Sequence, residues 1–204
     1  MTEDDARDWV RTHFDVSRET SLASFAELIT AEAGLQNLVS ASSLDALWTR
    51  HIVDSAQLIP LAAKHPGPWI DIGSGAGFPG LVVAVLSDRP VTLIEPRRKR
   101  AQFLEAAVDT LGLGNQVTVV AARAEQYRGI GAVISARAVA ALPELLASGA
   151  HLSTTKTLWL LPKGPRASEE VEAARRTWHG SFHVEQSITE PSSLIITAKG
   201  IARR

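Results

Sequence analysis

The chain has 204 residues, 45% hydrophobic and 21% charged, which is the size and composition of a folded domain with a full apolar core. It contains no cysteine, so disulfide bonds and thiolate metal sites are excluded. No apolar run is long enough to cross a bilayer and the formal net charge is -1, so we expect a soluble, cytoplasmic protein that attracts nucleic acid only through a local basic patch.

The first 66 residues are predicted to be helical and to form a cap. Residues 17–33 carry apolar side chains at helical spacing, and Gly34 is a typical stop. Residues 42–45 read Ser-Ser-Leu-Asp, a capping-box pattern that predicts the start of a second long helix reaching Ile59. We expect a helical cap over residues 1–66 and a sheet domain over residues 67–204, packed as one compact unit.

From residue 69 onward, short apolar runs alternate with helical patterns. This alternation predicts an α/β fold with a mostly parallel sheet between two layers of helices. Seven strands are predicted, at residues 69–72, 91–94, 117–120, 132–135, 157–161, 181–187 and 194–198. Helices are predicted at residues 80–86, 97–111, 142–151 and 167–177. The last two strands have no helix between them, so they should form an antiparallel hairpin at one edge.

The connection between the first predicted strand and its helix is rich in glycine. Asp71 ends the strand, and Gly73, Gly75, Gly77 and Gly80 follow within nine residues. Glycine costs backbone entropy, and four so close together indicate a place where a ligand approaches the main chain. The turn therefore predicts a site for an adenosine-bearing cofactor.

Two cofactor classes fit this turn. Gly75, Gly77 and Gly80 match the dinucleotide spacing G-x-G-x-x-G. However, Asp71 lies two residues before the first glycine, and Phe78 with Pro79 puts bulk where a pyrophosphate needs bare backbone. These two details favour S-adenosylmethionine over a dinucleotide.

Three further positions follow predicted strands on the same sheet edge, where ligands bind in open α/β sheets. Glu95 ends the second strand and is suited to accept hydrogen bonds from both ribose hydroxyls. Ala124 and Glu125 follow the third strand and could bracket an adenine. Arg137 follows the fourth and could address a carboxylate, a phosphate or a base, although a plain surface arginine is equally consistent with the sequence.

Together these motifs resemble the bacterial small-subunit ribosomal RNA methyltransferase G family, also called glucose-inhibited division protein B. The resemblance covers most of the chain. It is carried by Asn37-Leu38, the run Arg-His-Ile-Val-Asp-Ser at 50–55, D-I-G-S-G-A-G-F-P-G at 71–80, Lys99-Arg100 with Phe103-Leu104, Arg-Ala-Glu at 123–125, Ser-Ala-Arg-Ala-Val at 135–139 and Lys163-Gly164.

The resemblance implies a class I, Rossmann-like methyltransferase fold and methylation of guanine N7 in the 530 loop of 16S ribosomal RNA. S-adenosylmethionine would be the cofactor and S-adenosylhomocysteine the product, with contacts from Gly73, Phe78, Ala124, Glu125 and Arg137. The partner would be 16S rRNA, the 30S subunit or an assembly intermediate. We expect a monomer without a metal ion.

The chain offers no catalytic triad and no metal-ligand spacing. Guanine N7 needs neither, because it presents a free lone pair and holds no proton at neutral pH. We therefore expect direct, in-line methyl transfer without a general base, with Arg137 as a positioning group. No residue is assigned as catalytic, and the roles of His51 and Asp54 on the cap stay open.

Basic residues that could contact RNA phosphate lie around the predicted cleft. They are Arg50, Lys99, Arg100, Arg123, Lys163 and Arg166, of which Arg123 and Lys163 lie at strand ends on the ligand side. Arg50 and Asp54 are spaced as an ordinary i,i+4 ion pair. Two other functions remain possible at this point: a small-molecule methyltransferase with the cap as a lid, and a nucleotide-binding or RNA-binding module without turnover.

Overall fold

The computed structural model describes residues 1–36 and 38–204, apart from the side chains of residues 41 and 42. Asn37, which contributes to the family resemblance, and the Ser42 side chain of the predicted capping box lie outside this description. None of the helices in the described residues is both long and apolar enough to span a membrane.

A seven-stranded sheet forms the centre of the molecule, as predicted. The strands are β1 (Trp69–Ile72), β2 (Val91–Ile94), β3 (Val117–Val120), β4 (Val133–Ser135), β5 (Leu158–Lys163), β6 (Trp178–Gln186) and β7 (Leu194–Arg203). Their order is β3-β2-β1-β4-β5-β7-β6. β1 to β5 pair in parallel, whereas β7 is antiparallel to both β5 and β6. The α/β class and the antiparallel edge hairpin are confirmed.

Nine α-helices surround the sheet in the described part of the chain. They are α1 (Glu3–His13), α2 (Val16–Ala33), α3 (Ala41–Leu44), α4 (Asp54–Ala56), α5 (Leu58–Leu61), α6 (Gly80–Leu86), α7 (Arg98–Thr110), α8 (Leu142–Gly149) and α9 (Ala167–Arg175). A π-helical segment, Trp48–Val53, precedes α4, and short 3-10 turns cover Ala124–Gln126 and Ala150–Leu152.

The sheet separates two apolar cores. Trp69 of β1 belongs to the core that contains Leu22, Phe25 and most of α6, whereas Ile70 and Ile72 belong to the core under α8 and α9. Alternate strand residues point to opposite faces, so a short strand contributes to both layers. The helices of the first 66 residues therefore share one core with the sheet.

The second long helix predicted for the cap is not formed. α3 ends at Leu44, and the chain then continues through the π-helical segment, α4 and α5. The backbone N–H groups of Trp48 and Thr49 donate to the Glu3 carboxylate at 2.8 and 2.9 Å. Because a side chain from α1 takes these donors, a new helical segment begins there. The predicted apolar face still points inward: Leu47, Trp48, Ile52 and Ala56 are buried.

Candidate functional site: two clefts at the carboxyl edge of the sheet

The glycine turn lies at the carboxyl end of β1. Gly75 has a φ of 57°, a left-handed conformation that favours glycine. A Cβ atom added there would lie 3.7 Å from both Arg100 Nη1 and the Gly73 carbonyl oxygen, so it would make ordinary contacts without a clash. At Gly80 an added Cβ would lie 2.3 Å from Leu93 and 2.8 Å from Asp71. Gly80 thus lets α6 begin directly against β1 and β2, while Gly75 gives the turn its left-handed residue.

Asp71 supports the turn from below. Its buried carboxylate accepts hydrogen bonds from Ser135 Oγ at 2.6 Å and from the Gly80 N–H at 3.2 Å. The indole N–H of Trp69 in turn donates to Ser135 Oγ at 2.8 Å. Burial raises the pKa of Asp71 to about 6, against the opposing effect of hydrogen bonds from Ser135, Ser74 and Gly80. Asp71 therefore couples β1, β4 and α6 beneath the turn.

Glu95 closes the turn from the side of β2. This residue is 3% exposed, and its two carboxylate oxygens accept the N–H groups of Gly75 at 2.9 Å and Arg97 at 2.8 Å. Each carboxylate oxygen has a second lone pair, so Glu95 retains acceptor capacity after making these bonds. The residue thus fixes the glycine turn and still offers acceptors for hydroxyl groups.

A first cleft of about 690 Å³ opens beside the turn. Its lining comes from the ends of β1, β2, β3 and β4 and includes Gly73, Glu95, Ala124, Glu125 and Val139. This lining suits an adenosine-bearing ligand. It combines the glycine backbone after β1, a carboxylate at the end of β2, and an apolar residue next to an acidic one after β3. These residues fit S-adenosylmethionine.

Arg137 lies on the other side of the turn, against the cap. Its guanidinium group donates to the Arg50 carbonyl oxygen at 2.9 Å, to His51 Nδ1 at 2.5 Å and to Asp54 Oδ2 at 3.4 Å. It also lies over the Phe78 ring, 5.1 Å from the centroid. Burial lowers the pKa of Arg137, while the Asp54 and Asp71 carboxylates oppose that shift. The arginine stays charged and links β4 to the cap.

The i,i+4 ion pair expected between Arg50 and Asp54 is not formed. Asp54 pairs with Arg137 instead and accepts further hydrogen bonds from Gln57, Ser187 and Thr189. Since Asp54 is buried and Arg50 is exposed, the Arg137 side chain, which is only 16% exposed, is the better partner. The sequence spacing could not reveal this pairing, because Arg137 and the 187–189 loop are distant along the chain.

His51 is held as a neutral side chain. Its ring stacks on Phe78 with centroids 5.0 Å apart, and Nδ1 accepts from Arg137. Burial lowers the pKa of His51 to about 3, and the positive charges of Arg137 and Arg50 act in the same direction. His51 therefore does not carry a proton near neutral pH, and the role that the sequence left open is that of a packed acceptor for Arg137.

A second cleft of about 530 Å³ adjoins the first. The segment Ala138, Val139 and Ala140 lines both clefts and so forms the wall between them. The remaining lining of the second cleft includes side chains from the cap, β4, β5, α9 and the start of β7, namely Asp54, Arg137, Lys163, Arg166, Glu170 and Ser193. A ligand in one cleft would thus face a ligand in the other across this segment.

The structure distributes the predicted cofactor residues over three positions. Gly73, Glu95, Ala124 and Glu125 line the first cleft, and Gly75 lies in the adjoining turn. Asp71 is buried below the turn. Gly77, Phe78 and Arg137 face the cap: Phe78 is 4% exposed, with the Phe25 ring 5.4 Å away. Arg137 lines the second cleft, whereas Gly77 and Phe78 line neither cleft.

The predicted RNA-binding residues are also divided. Arg100 and Arg123 line the first cleft, and Lys163 and Arg166 line the second. Arg50 and Lys99 are exposed on the cap segment and α7. Lys163 already has two protein partners, the Ala140 carbonyl oxygen at 2.7 Å and the Glu170 carboxylate at 2.8 Å. Sequence reasoning named Ser135 only within the motif 135–139 and did not single out Glu170, whose bonds to Lys163 and Leu142 connect α9 with β5 and α8.

Comparison with known proteins agrees with this geometry. The model of the family described as rRNA small subunit methyltransferase G matches residues 18–194. The chain belongs to this family. Ribosomal RNA small subunit methyltransferase G of Novosphingobium aromaticivorans is 47% identical over 99% of the chain and 90% of the relative. The corresponding protein of Zymomonas mobilis subsp. mobilis is 44% identical over 98% of the chain and 95% of the relative. The resemblance inferred from the motifs is confirmed.

Solved structures support the fold independently. A glycopeptide N-methyltransferase in complex with S-adenosylmethionine superposes with a TM-score of 0.59, over 74% of the chain and 94% of that protein. The two sequences are only 10% identical, so the likeness concerns the fold alone. The sheet is that of a class I S-adenosylmethionine-dependent methyltransferase, as predicted.

Proposed function

We propose that this member of the family transfers a methyl group from S-adenosylmethionine to N7 of a guanine in the 530 loop of 16S ribosomal RNA. The observation that carries the proposal is the pair of clefts that share the wall 138–140. Methyl transfer needs a donor and an acceptor in adjoining sites, and family membership names small-subunit rRNA as the acceptor.

The first cleft is assigned to the cofactor. Glu95 would receive the ribose hydroxyls on its remaining lone pairs, and Ala124 with Glu125 would bracket the adenine. The half-buried backbone of Gly73 and Gly75 would face the methionine part. Asp71, Gly77 and Phe78 hold the turn in shape from beneath and from the cap. When bound, the cofactor supplies an already activated methyl group.

The second cleft is assigned to the guanine. A lone pair on N7 needs no deprotonation, so the residues around this cleft have to orient the base and exclude water. Arg137 is suited to positioning because its guanidinium is buried and held by three cap groups. His51 is neutral and hydrogen-bonded to Arg137. Because N7 carries no proton to be removed, the reaction needs no proton relay through these residues. Holding the two reactants in the correct orientation can lower the activation free energy by on the order of 7 to 11 kcal/mol.

RNA would reach the clefts along their basic rim. Arg123 and Arg166 are exposed there, and Arg100 is half-buried beside the turn. Arg50 on the cap segment and Lys99 on α7 add exposed positive charge outside the clefts. A guanine in a loop exposes N7 more readily than one in an A-form helix, whose deep major groove hides it. We place the enzyme in the cytoplasm as a monomer, acting on 16S rRNA, on the 30S subunit or on an assembly intermediate.

The test is methylation of defined substrates by the purified protein. Naked 16S rRNA and 30S subunits, both from a strain that lacks the gene, are incubated with isotope-labelled S-adenosylmethionine. Nucleoside mass spectrometry and primer extension then locate the label. We expect 7-methylguanosine in the 530 loop, and none with the Arg137→Ala variant. Label on another base or on none, from a protein that binds the cofactor by calorimetry, would refute the proposal.

A further inference from the structure

A partly buried ion pair lies beside the wall between the two clefts. The Lys163 ammonium group donates to the Glu170 carboxylate at 2.8 Å and to the Ala140 carbonyl oxygen at 2.7 Å. The same carboxylate oxygen, Glu170 Oε2, accepts the backbone N–H of Leu142 at 2.8 Å. The pair thus binds the main chain on both sides of residue 141. The Lys163 side chain is only 10% exposed, which limits its access to a polyanion.

Glu170 also supplies the side-chain cap that the start of α8 lacks. The N-cap residue of α8 is Ala141, which provides no side-chain hydrogen bond to the first turn. A carboxylate at a helix N-terminus satisfies a free N–H group and interacts favourably with the helix dipole. Glu170 does this from α9, so the position at which α8 begins depends on a residue from another helix.

The main chain that Lys163 and Glu170 bind at Ala140 and Leu142 continues directly from the wall, residues 138–140. Ala138 has a φ of 55°, a left-handed conformation that residues with a Cβ atom rarely adopt. Next to it, the Val139 side chain lies against the glycine turn: a Cβ added at Gly73 would be 2.6 Å from Val139 Cγ2. A strained segment persists only where the surroundings fix it. The bonds to Ala140 and Leu142 are such a restraint.

We propose that Lys163 and Glu170 form a latch that positions the wall 138–140, and that this latch determines cofactor affinity before any RNA is bound. The inference rests on the proposed function only in placing S-adenosylmethionine in the first cleft. Lys163 and Glu170 are positioning residues, because they act on the cofactor through Val139. The phosphate contact expected for Lys163 from the sequence is the competing role.

The test compares Lys163→Met and Glu170→Gln with Glu172→Gln, a matched control on the same helix whose partner is the exposed Arg175. Calorimetry without RNA measures the Kd of S-adenosylmethionine. We expect each latch variant to weaken binding about tenfold, the double variant to be no worse than the stronger single variant, and Lys163→Arg to recover most of the loss. Glu172→Gln should bind as the wild type does.

A second readout does not depend on the cofactor. Hydrogen exchange of the free protein should show faster exchange of the Leu142 amide in both latch variants, while the amides of β1 and β2 keep their protection. Unchanged cofactor affinity and unchanged Leu142 exchange in Lys163→Met, together with weaker RNA binding, would overturn the latch and favour the phosphate contact. Because neither readout uses RNA methylation, failure of the guanine assignment would not affect them.

Discussion

At the scale of single residues, Gly75 and Gly112 have the same backbone conformation in different surroundings. Their φ angles are 57° and 67°, so a side chain strains the backbone at both positions. Gly112 has no heavy atom within 4 Å of an added Cβ. Gly75 lies beside the first cleft, and its N–H donates to Glu95. The two positions therefore separate the cost of backbone strain from the effect on the ligand.

We predict that Gly75→Asp abolishes S-adenosylmethionine binding. The new side chain would put a carboxylate beside the turn, with its Cβ 3.7 Å from Arg100 Nη1 and next to the N–H group that donates to Glu95, and would occupy the space proposed for the cofactor. Gly112→Asp is the control, because it introduces the same residue at the same kind of φ. Calorimetry and thermal unfolding are measured for both. Cofactor affinity in Gly75→Asp equal to that of Gly112→Asp would contradict the assignment of the first cleft.

At the scale of elements, the contact between α1 and the cap segment shows how tertiary bonds overrule a helical pattern. Glu3 accepts the N–H groups of Trp48 and Thr49 and also the Thr49 hydroxyl at 2.8 Å. This carboxylate caps the helical segment that presents the Arg50 carbonyl and His51 to Arg137. One acidic residue near the start of the chain thus supports the cap side of the second cleft.

Glu3→Gln should lower the free energy of unfolding by about 1 to 2 kcal/mol, because charge-assisted hydrogen bonds at a helix start are replaced by neutral ones. Asp4→Asn is the matched control: Asp4 also lies in the first turn of α1 but is exposed. Urea unfolding at neutral pH measures both. If the two variants lose equal stability, the effect comes from the α1 dipole and not from the cap segment.

At the scale of the whole molecule, two buried groups give stability opposite dependences on pH. Asp71, with its pKa raised to about 6, contributes stability that is lost as pH rises through that value. His51, with its pKa lowered from 6.5 to about 3, contributes stability that is lost as pH falls below 6.5 toward 3. In mild acid the unfolded chain binds a proton at His51 that the folded protein does not accept.

The variant His51→Gln, which keeps an acceptor for Arg137, should therefore be less sensitive to acid than the wild type. Between about pH 7.5 and about pH 5 we expect it to lose roughly 1 to 2 kcal/mol less stability. Urea unfolding at the two pH values provides the measurement. His179→Gln, at an exposed position on β6, is the control. An unchanged pH dependence in His51→Gln would show that His51 takes up a proton in the folded protein as readily as in the unfolded chain.

The sequence by itself determined the sheet and the family. β1, β2 and β3 have the predicted bounds, because their apolar runs are short and end at turn residues. The antiparallel hairpin followed from the missing helix between its strands, although β6 and β7 extend beyond the prediction, to Trp178 and Arg203. These features depend on local composition and residue spacing, which can be read directly from a single sequence.

Only the tertiary structure decided which side chains meet. The pairing of Asp54 with Arg137, the support of Asp71 by Ser135 and the latch of Lys163 with Glu170 join different elements. The interruption of the predicted cap helix likewise depends on Glu3, which lies 45 residues before Trp48 in the sequence. Burying a charged group without a partner costs free energy, so each of these groups pairs with a suitable side chain that is close in space. That partner is fixed by the fold, and the order of residues along the chain does not show it.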